Sequence, residues 1–316
     1  MNIPYFDAHC DTLSAMLQKQ QGFANNALHV ELNRGSNYQP WAQFFAMFAS
    51  DKLKTKAGFV SGGADFNAQY QLFEKMVAEH EDTLHFCKNI ADLKHAEENG
   101  KVAGFLSVEG AELLDCSLER LEDAYEKGVR MLTLTWNYHN ALSGSNIEHP
   151  EKGLTEHGRA FVQRCRELGV LVDVSHLSPK GFWDVAELLD VPFVASHSNA
   201  ASLWEHSRNI TDAQFLQIVK AGGVCGINLY ADFLGENATI DTVIAHIAHF
   251  LDLGGAKSIA VGADLDGCER LPLGINAIED IWKIADRLLQ KNYPESLICD
   301  IFYENLRRVV EEVCVI

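Results

Sequence analysis

Short, nearly continuous apolar runs alternate along this chain with longer stretches whose apolar residues recur three and four positions apart. The runs at 3–6, 43–48, 101–108, 129–135, 170–176, 192–197, 224–230 and 258–264 read as strands buried on both faces. Helical spacing marks 66–80, 117–127, 155–168, 212–221 and 240–253, with further helices near 14–21, 278–290 and 294–313. Ser117 is placed to cap one helix, and Pro179 opens the helix after the fifth strand. Residues 25–38 form a polar excursion, and the loop after the fourth strand is rich in Asn, Ser, Gly and His. Eight strand–helix units without a linker-like gap predict an α/β fold, a (β/α)8 TIM-type barrel over residues 1–316 as one domain. An open doubly wound sheet is the alternative, and no glycine-rich phosphate fingerprint follows the first strand to favour it.

Composition narrows the function more than the fold. The 316 residues are 47% hydrophobic, enough for a large core without staples. A net charge of −18 speaks against nucleic acid or an anionic membrane surface as partner. The eight cysteines, at 10, 87, 116, 165, 225, 268, 299 and 314, show no CxxC and no compact framework, so they read as reduced residues of a cytoplasmic protein. No signal peptide, membrane span or prenylation motif is expected.

The polar residues inside the strand pattern share one property. His9 and Asp11, Glu109, His176, His197 and Asp264 fall at the C-terminal ends of strands one, three, five, six and eight. A His-x-Asp triplet alone is commonplace, but in a barrel those strand ends converge on one face, where active sites form. Imidazoles and carboxylates in this mixture suit zinc or manganese. One metal rarely needs so many ligands. Two metals with a bridging carboxylate use them all: His9 and Asp11 on one ion, His176 and His197 on the other, Glu109 between. The strand bearing Glu109 is expected beside the first strand.

Seven segments in order then resemble one family. Asp7-Ala8-His9-Cys10-Asp11, Ser107-Val108-Glu109-Gly110, Leu132-Thr133-Leu134-Thr135, Asp173-Val174-Ser175-His176, Ser196-His197-Ser198, Arg208-Asn209 and Gly262-Ala263-Asp264-Leu265-Asp266-Gly267 are similar to the motifs of the membrane (renal) dipeptidases, a branch of the amidohydrolase superfamily. The resemblance runs on to Asn305-Leu306-Arg307-Arg308-Val309 and covers nearly the whole chain. It implies two Zn2+ (or another divalent metal) held by His9, Asp11, Glu109, His176 and His197, and hydrolysis of dipeptides, including those with a C-terminal D-residue. It also implies Arg208 for the substrate carboxylate, Asp264 as the catalytic acid/base, and a homodimer. The reaction expected is attack by a metal-bridging hydroxide, since two zinc ions bring the pKa of a shared water to about 7 or below. Asn228 and Tyr230, at the end of strand seven, are candidate pocket residues, whereas Asp266 suits a tight turn.

One departure stands out. Animal members carry a histidine directly after the strand-four Thr-Leu-Thr, where this chain has Trp136; His139, three residues on, is the candidate to reach the same space. The rival readings are a superfamily hydrolase of lactones, cyclic amides or phosphoesters, and a metal-binding barrel without catalysis that serves as sensor or scaffold. Many of the former bridge their metals with a modified strand-four lysine, and 129–135 contains none; mononuclear deaminases begin with His-x-His rather than His9-x-Asp11. Trp136 is the feature that favours the inactive barrel.

Overall fold

The computed structural model of the chain describes residues 3–49, 53–55 and 58–315. Its apolar runs form eight parallel strands: β1 (Tyr5–Cys10), β2 (Trp41–Phe48), β3 (Val102–Glu109), β4 (Val129–Thr133), β5 (Leu171–Asp173), β6 (Val194–Ala195), β7 (Val224–Ile227) and β8 (Ile259–Val261). Each pairs with the next in chain order, and β8 pairs back onto β1 through Val261 and Asp7, so the sheet closes into a (β/α)8 barrel. A short strand, Leu84–Phe86, adds to the first half of β3. Parallel neighbours require crossovers, and the amphipathic helices supply them.

Alternation along each strand decides what fills the barrel. Ala42 and Phe44 of β2 share the interior cluster with Phe6, Ala103, Phe105, Met131, Leu171 and Val224. The rings of Phe44 and Phe105 lie 5.0 Å apart, and Phe6 stacks on both. Burying one such ring contributes about 1.5–3 kcal/mol. The C-terminal helix Asn305–Val313 adds Leu306, Val309 and Val310 to the same cluster. Residues two apart on a strand face the same side, so Phe48 and Glu109, paired across β2 and β3, form the uppermost layer of that interior.

Helix starts follow their caps. Ser117, Thr155, Ser178 and Thr211 each accept a bond from a first-turn amide, and Pro179 occupies the first turn after Ser178. Seven of the eight cysteines are buried and all are free. No helix among the described residues is long and apolar enough to cross a membrane.

Two expectations need correction. Several strands are shorter than their apolar runs: 170–176 pairs only over Leu171–Asp173, and 258–264 only over Ile259–Val261. On these two strands the chain leaves the ladder before the candidate site residues, and His176 and Asp264 sit in left-handed turns at φ 65° and 57°. Non-glycine residues adopt that region at a cost, and such positions cluster at functional sites. Secondly, β3 is not adjacent to β1, because β2, apolar but for Gln43, threads between them. Glu109 therefore faces the β1 residues from beyond β2, two strands away along the sheet.

Candidate metal centre

At the C-terminal end of β1 the ladder slips between Asp7 and Cys10, and the chain turns into the helix Thr12–Lys19. Asp7 anchors that slip. Its Oδ1 accepts from the His9 and Ala263 amides, and its Oδ2 accepts from the Tyr5 hydroxyl at 2.7 Å. His9 is left buried with Nε2 3.5 Å from Asp11 Oδ2, 3.8 Å from Glu109 Oε2 and 3.9 Å from Asp264 Oδ1. The Asp264 amide donates to the His9 carbonyl, which joins the ends of β8 and β1. Gly267 makes the crowding possible. A Cβ there would lie 2.1 Å from Asp11 Oδ2 and 2.3 Å from Asp264 Oδ1.

The other face of Glu109 meets two imidazoles. Its Oε1 is 3.0 Å from His176 Nε2 and 3.5 Å from His197 Nε2, and those two nitrogens are 3.1 Å apart. Counting protons shows what this means. The Asp173 carboxylate accepts from the Ser175 and Ser196 amides at Oδ1 and from the Thr133 and Ser196 hydroxyls, both at 2.6 Å, at Oδ2. Ser196 thus spends its only proton on Asp173, and can only accept from His197 Nδ1, 2.6 Å away. His176 Nδ1 likewise meets an acceptor, Asn137 Oδ1, at 2.9 Å. Both histidines carry their proton on Nδ1, and both bare Nε2 lone pairs converge with a carboxylate oxygen. Three acceptors converging on one point repel one another unless a proton or a cation lies among them.

The electrostatics divide the site the same way. Burial alone would lower His9, but the carboxylates of Glu109, Asp11 and Asp264 overcome it and hold His9 up at about 10. For His176 and His197, burial followed by the positive charges of Arg208 and His9 pushes both well below the usual histidine range. Burial, then the Asp11 charge, raises Glu109 well above the carboxylate range, and Asp264 is pushed up to about 7 chiefly by burial. These groups repel one another unless positive charge is supplied among them. His9, Glu109 and His197 offer one set of mutually close donors, and His9, Asp11 and Asp264 another. His9 Nε2 and Asp11 Oδ1 are buried without a hydrogen-bond partner. Nitrogen and oxygen donors in these sets fit a divalent cation of the zinc or manganese kind.

The remaining predicted residues are distributed unevenly. Arg208 is buried beside the cluster, donates from Nη2 to the His197 carbonyl at 3.2 Å, lies over the Phe233 ring and has an unpartnered Nε. Asn228 donates to Asp264 Oδ2 at 3.0 Å. Tyr230 is turned aside, its hydroxyl donating to Glu269 at 2.5 Å. His139 is not gathered in: its ring pairs with Glu148 at 2.6 Å, stacks edge-on against His149 and is 42% exposed. Trp136 occupies the mouth instead, its ring centroid 6.4 Å from that of His176. Asp266 holds the excursion at 25–38 by accepting from the His29 and Val30 amides. The roles of Asp173, Ser196 and Asn137 are not legible in the sequence. The Asp-Val-Ser-His segment pointed to Asp173, but nothing in it reveals a bond to Ser196 on the next strand.

Comparison with known proteins agrees with this geometry. The family profile described as membrane dipeptidase (peptidase family M19) matches residues 1–316. An uncharacterized dipeptidase of Schizosaccharomyces pombe is 32% identical over 284 residues, a match covering 82% of this chain and 65% of that protein's length. Among solved structures, a metallopeptidase from Rhodobacter sphaeroides liganded with a phosphinate mimic of the dipeptide L-Ala-D-Ala superposes with a TM-score of 0.90 at 25% identity, over 99% of this chain and all of that one. The dipeptidase AC, also a metallopeptidase, gives 0.90 at 26% identity over 99% of both chains. A probable dipeptidase from Pseudomonas aeruginosa, at 19% identity and 0.89 over 99% of this chain and 96% of that one, shares the fold.

Proposed function

The chain belongs to the membrane dipeptidase family, and from that premise we propose that it is a binuclear metal-dependent dipeptidase, with zinc as the expected metal. One observation carries the reading: Glu109 presents one carboxylate oxygen to His9 and the other to the paired, deprotonated nitrogens of His176 and His197. In this reading His9 and Asp11 would hold one cation and His176 and His197 the other, with Glu109 a ligand available to both. When bound, the metals supply Lewis acidity toward the scissile carbonyl and make water a competent nucleophile at neutral pH.

The protein groups do the rest. Arg208 binds the free carboxylate of the substrate, because a buried guanidinium with an unpartnered Nε is a ready donor to it. That contact favours short peptides whose terminus lies within reach of the cluster. Asp264 takes the proton from the attacking water at Oδ1 and returns it to the leaving amine, while Asn228 fixes Oδ2 and with it the rotamer. Asp173, through Ser196, keeps the His197 lone pair aimed inward. A reducing, cytoplasmic setting suits eight unpaired thiols.

The test is hydrolysis of L-Ala-D-Ala and Gly-D-Ala by protein stripped with chelator and then reloaded with zinc, manganese or cobalt. Turnover that vanishes with the metal and returns with it supports the proposal. Two tightly held metals without turnover on any dipeptide would overturn it in favour of a binding protein.

A further inference from the structure

Two walls of opposite chemistry flank the cluster. Arg208, Asn228 and Asp264 belong to the segments after β6, β7 and β8. Across the mouth, on the β2–β4 side, three aromatic rings cluster beside Asn137, with Lys54 over the outermost, Tyr138. Phe48 ends β2 directly opposite Glu109 in the ladder, in the top interior layer, and is only half-buried. The Trp136 ring, also half-buried, packs at 5.0 Å from Phe48, 5.6 Å from Tyr138 and 6.4 Å from His176. The Trp136 backbone is fixed from beneath, its amide donating to the buried carboxylate of Glu112, which also accepts from Asn140. A core at this position would bury these rings, and a solvated loop would not carry them. Here they form a fixed apolar shelf against the two side chains, Glu109 and His176, nearest which the peptide bond must break.

Resting on the dipeptidase reading, we propose that Phe48 and Trp136 form the subsite for the side chain of the substrate's N-terminal residue, and that this side chain is large and apolar. The direction follows from the topology. With the substrate carboxylate on Arg208, on the β6–β8 side, and the scissile bond over Glu109, the residue beyond that bond lies toward β2–β4. A leucyl or phenylalanyl side chain covers the shelf and removes its apolar surface from water; glycine leaves it wet.

The experiment compares kcat/KM of the zinc-loaded protein for Phe-Ala, Leu-Ala and Gly-Ala, and for the reversed Ala-Phe, Ala-Leu and Ala-Gly. The expected result is a preference of at least about tenfold for Phe or Leu over Gly at the first position. At the second position the series should be flatter. Trp136→Ala should shrink the first-position ratio severalfold, mainly through KM, and Trp136→Phe should keep most of it. Metal content of each variant guards against misfolding, and Phe48→Ala gives an independent route to the same loss. Rates indifferent to the first residue, or a preference that survives both Trp136→Ala and Phe48→Ala, would overturn the shelf while leaving the dipeptidase reading intact. A preference confined to the second residue would overturn the assigned direction. Failure on all six peptides would sink both.

Discussion

The two sides of Glu109 use the same residue type in opposite states. His9 faces three carboxylates and is held up at about 10, whereas His176 and His197, facing one carboxylate oxygen and each other, are pushed well below their usual range. Burial acts on all three in the same direction, so the difference comes from the charges around them: carboxylates raise His9, while Arg208 and His9 itself lower the other two. One side keeps a proton on its imidazole; the other turns bare lone pairs inward.

The largest effect should come from removing what the two sides share. Glu109→Gln is expected to cost on the order of 10³-fold or more in kcat/KM and to weaken metal binding on both sides, read by metal content after gel filtration. Asp264→Asn should lower kcat by about 10²–10⁴-fold with both metals retained. Loss of the metals in that variant would move Asp264 from proton transfer to ligation.

Smaller effects separate the sides. Ser196→Ala breaks the link from Asp173 to His197 and should weaken metal binding by about 10–100-fold on the imidazole side alone, measured by chelator competition. Calorimetry in buffers of different ionisation enthalpy gives a complementary signature at pH 7. Filling the His9 side should release the proton that the raised pKa keeps on His9, whereas His176 and His197 have none of their own to release.

Glu112 provides the control, a buried carboxylate three residues from Glu109 that faces amide donors instead of the cluster. Burial pushes it up to about 7. The folded state therefore holds a proton that the unfolded chain releases near 4.3, and stability falls as pH rises from about 4.3 to 7. Glu112→Gln should remove that fall, gaining about 1–3 kcal/mol at pH 8 relative to pH 4 in denaturant unfolding. Metal affinity should change little.

Much of this was legible in the sequence, for a physical reason. Parallel strands buried on both faces must be apolar throughout, so the polar residues that interrupt them at one end announce themselves. His9, Asp11, Glu109, His176, His197 and Asp264 stand out that way, and the barrel brings them together. What stayed hidden depends on partners in space. Nothing local to Ser196 says that its proton goes to Asp173, 23 residues back in the chain. Gly267 resembles any turn glycine until the carboxylates of Asp11 and Asp264 are seen against it. His139 and Trp136 exchanged expectations because the loop after β4 is fixed by Glu148, Glu112 and Asn140 rather than by its spacing.

The most direct test is anomalous diffraction at the zinc edge from crystals of the zinc-loaded protein. Two peaks per chain are expected, one between His9 and Asp11 and one between His176 and His197, each in contact with a different oxygen of Glu109. A single peak, or two peaks with Glu109 turned away from either, would contradict that arrangement.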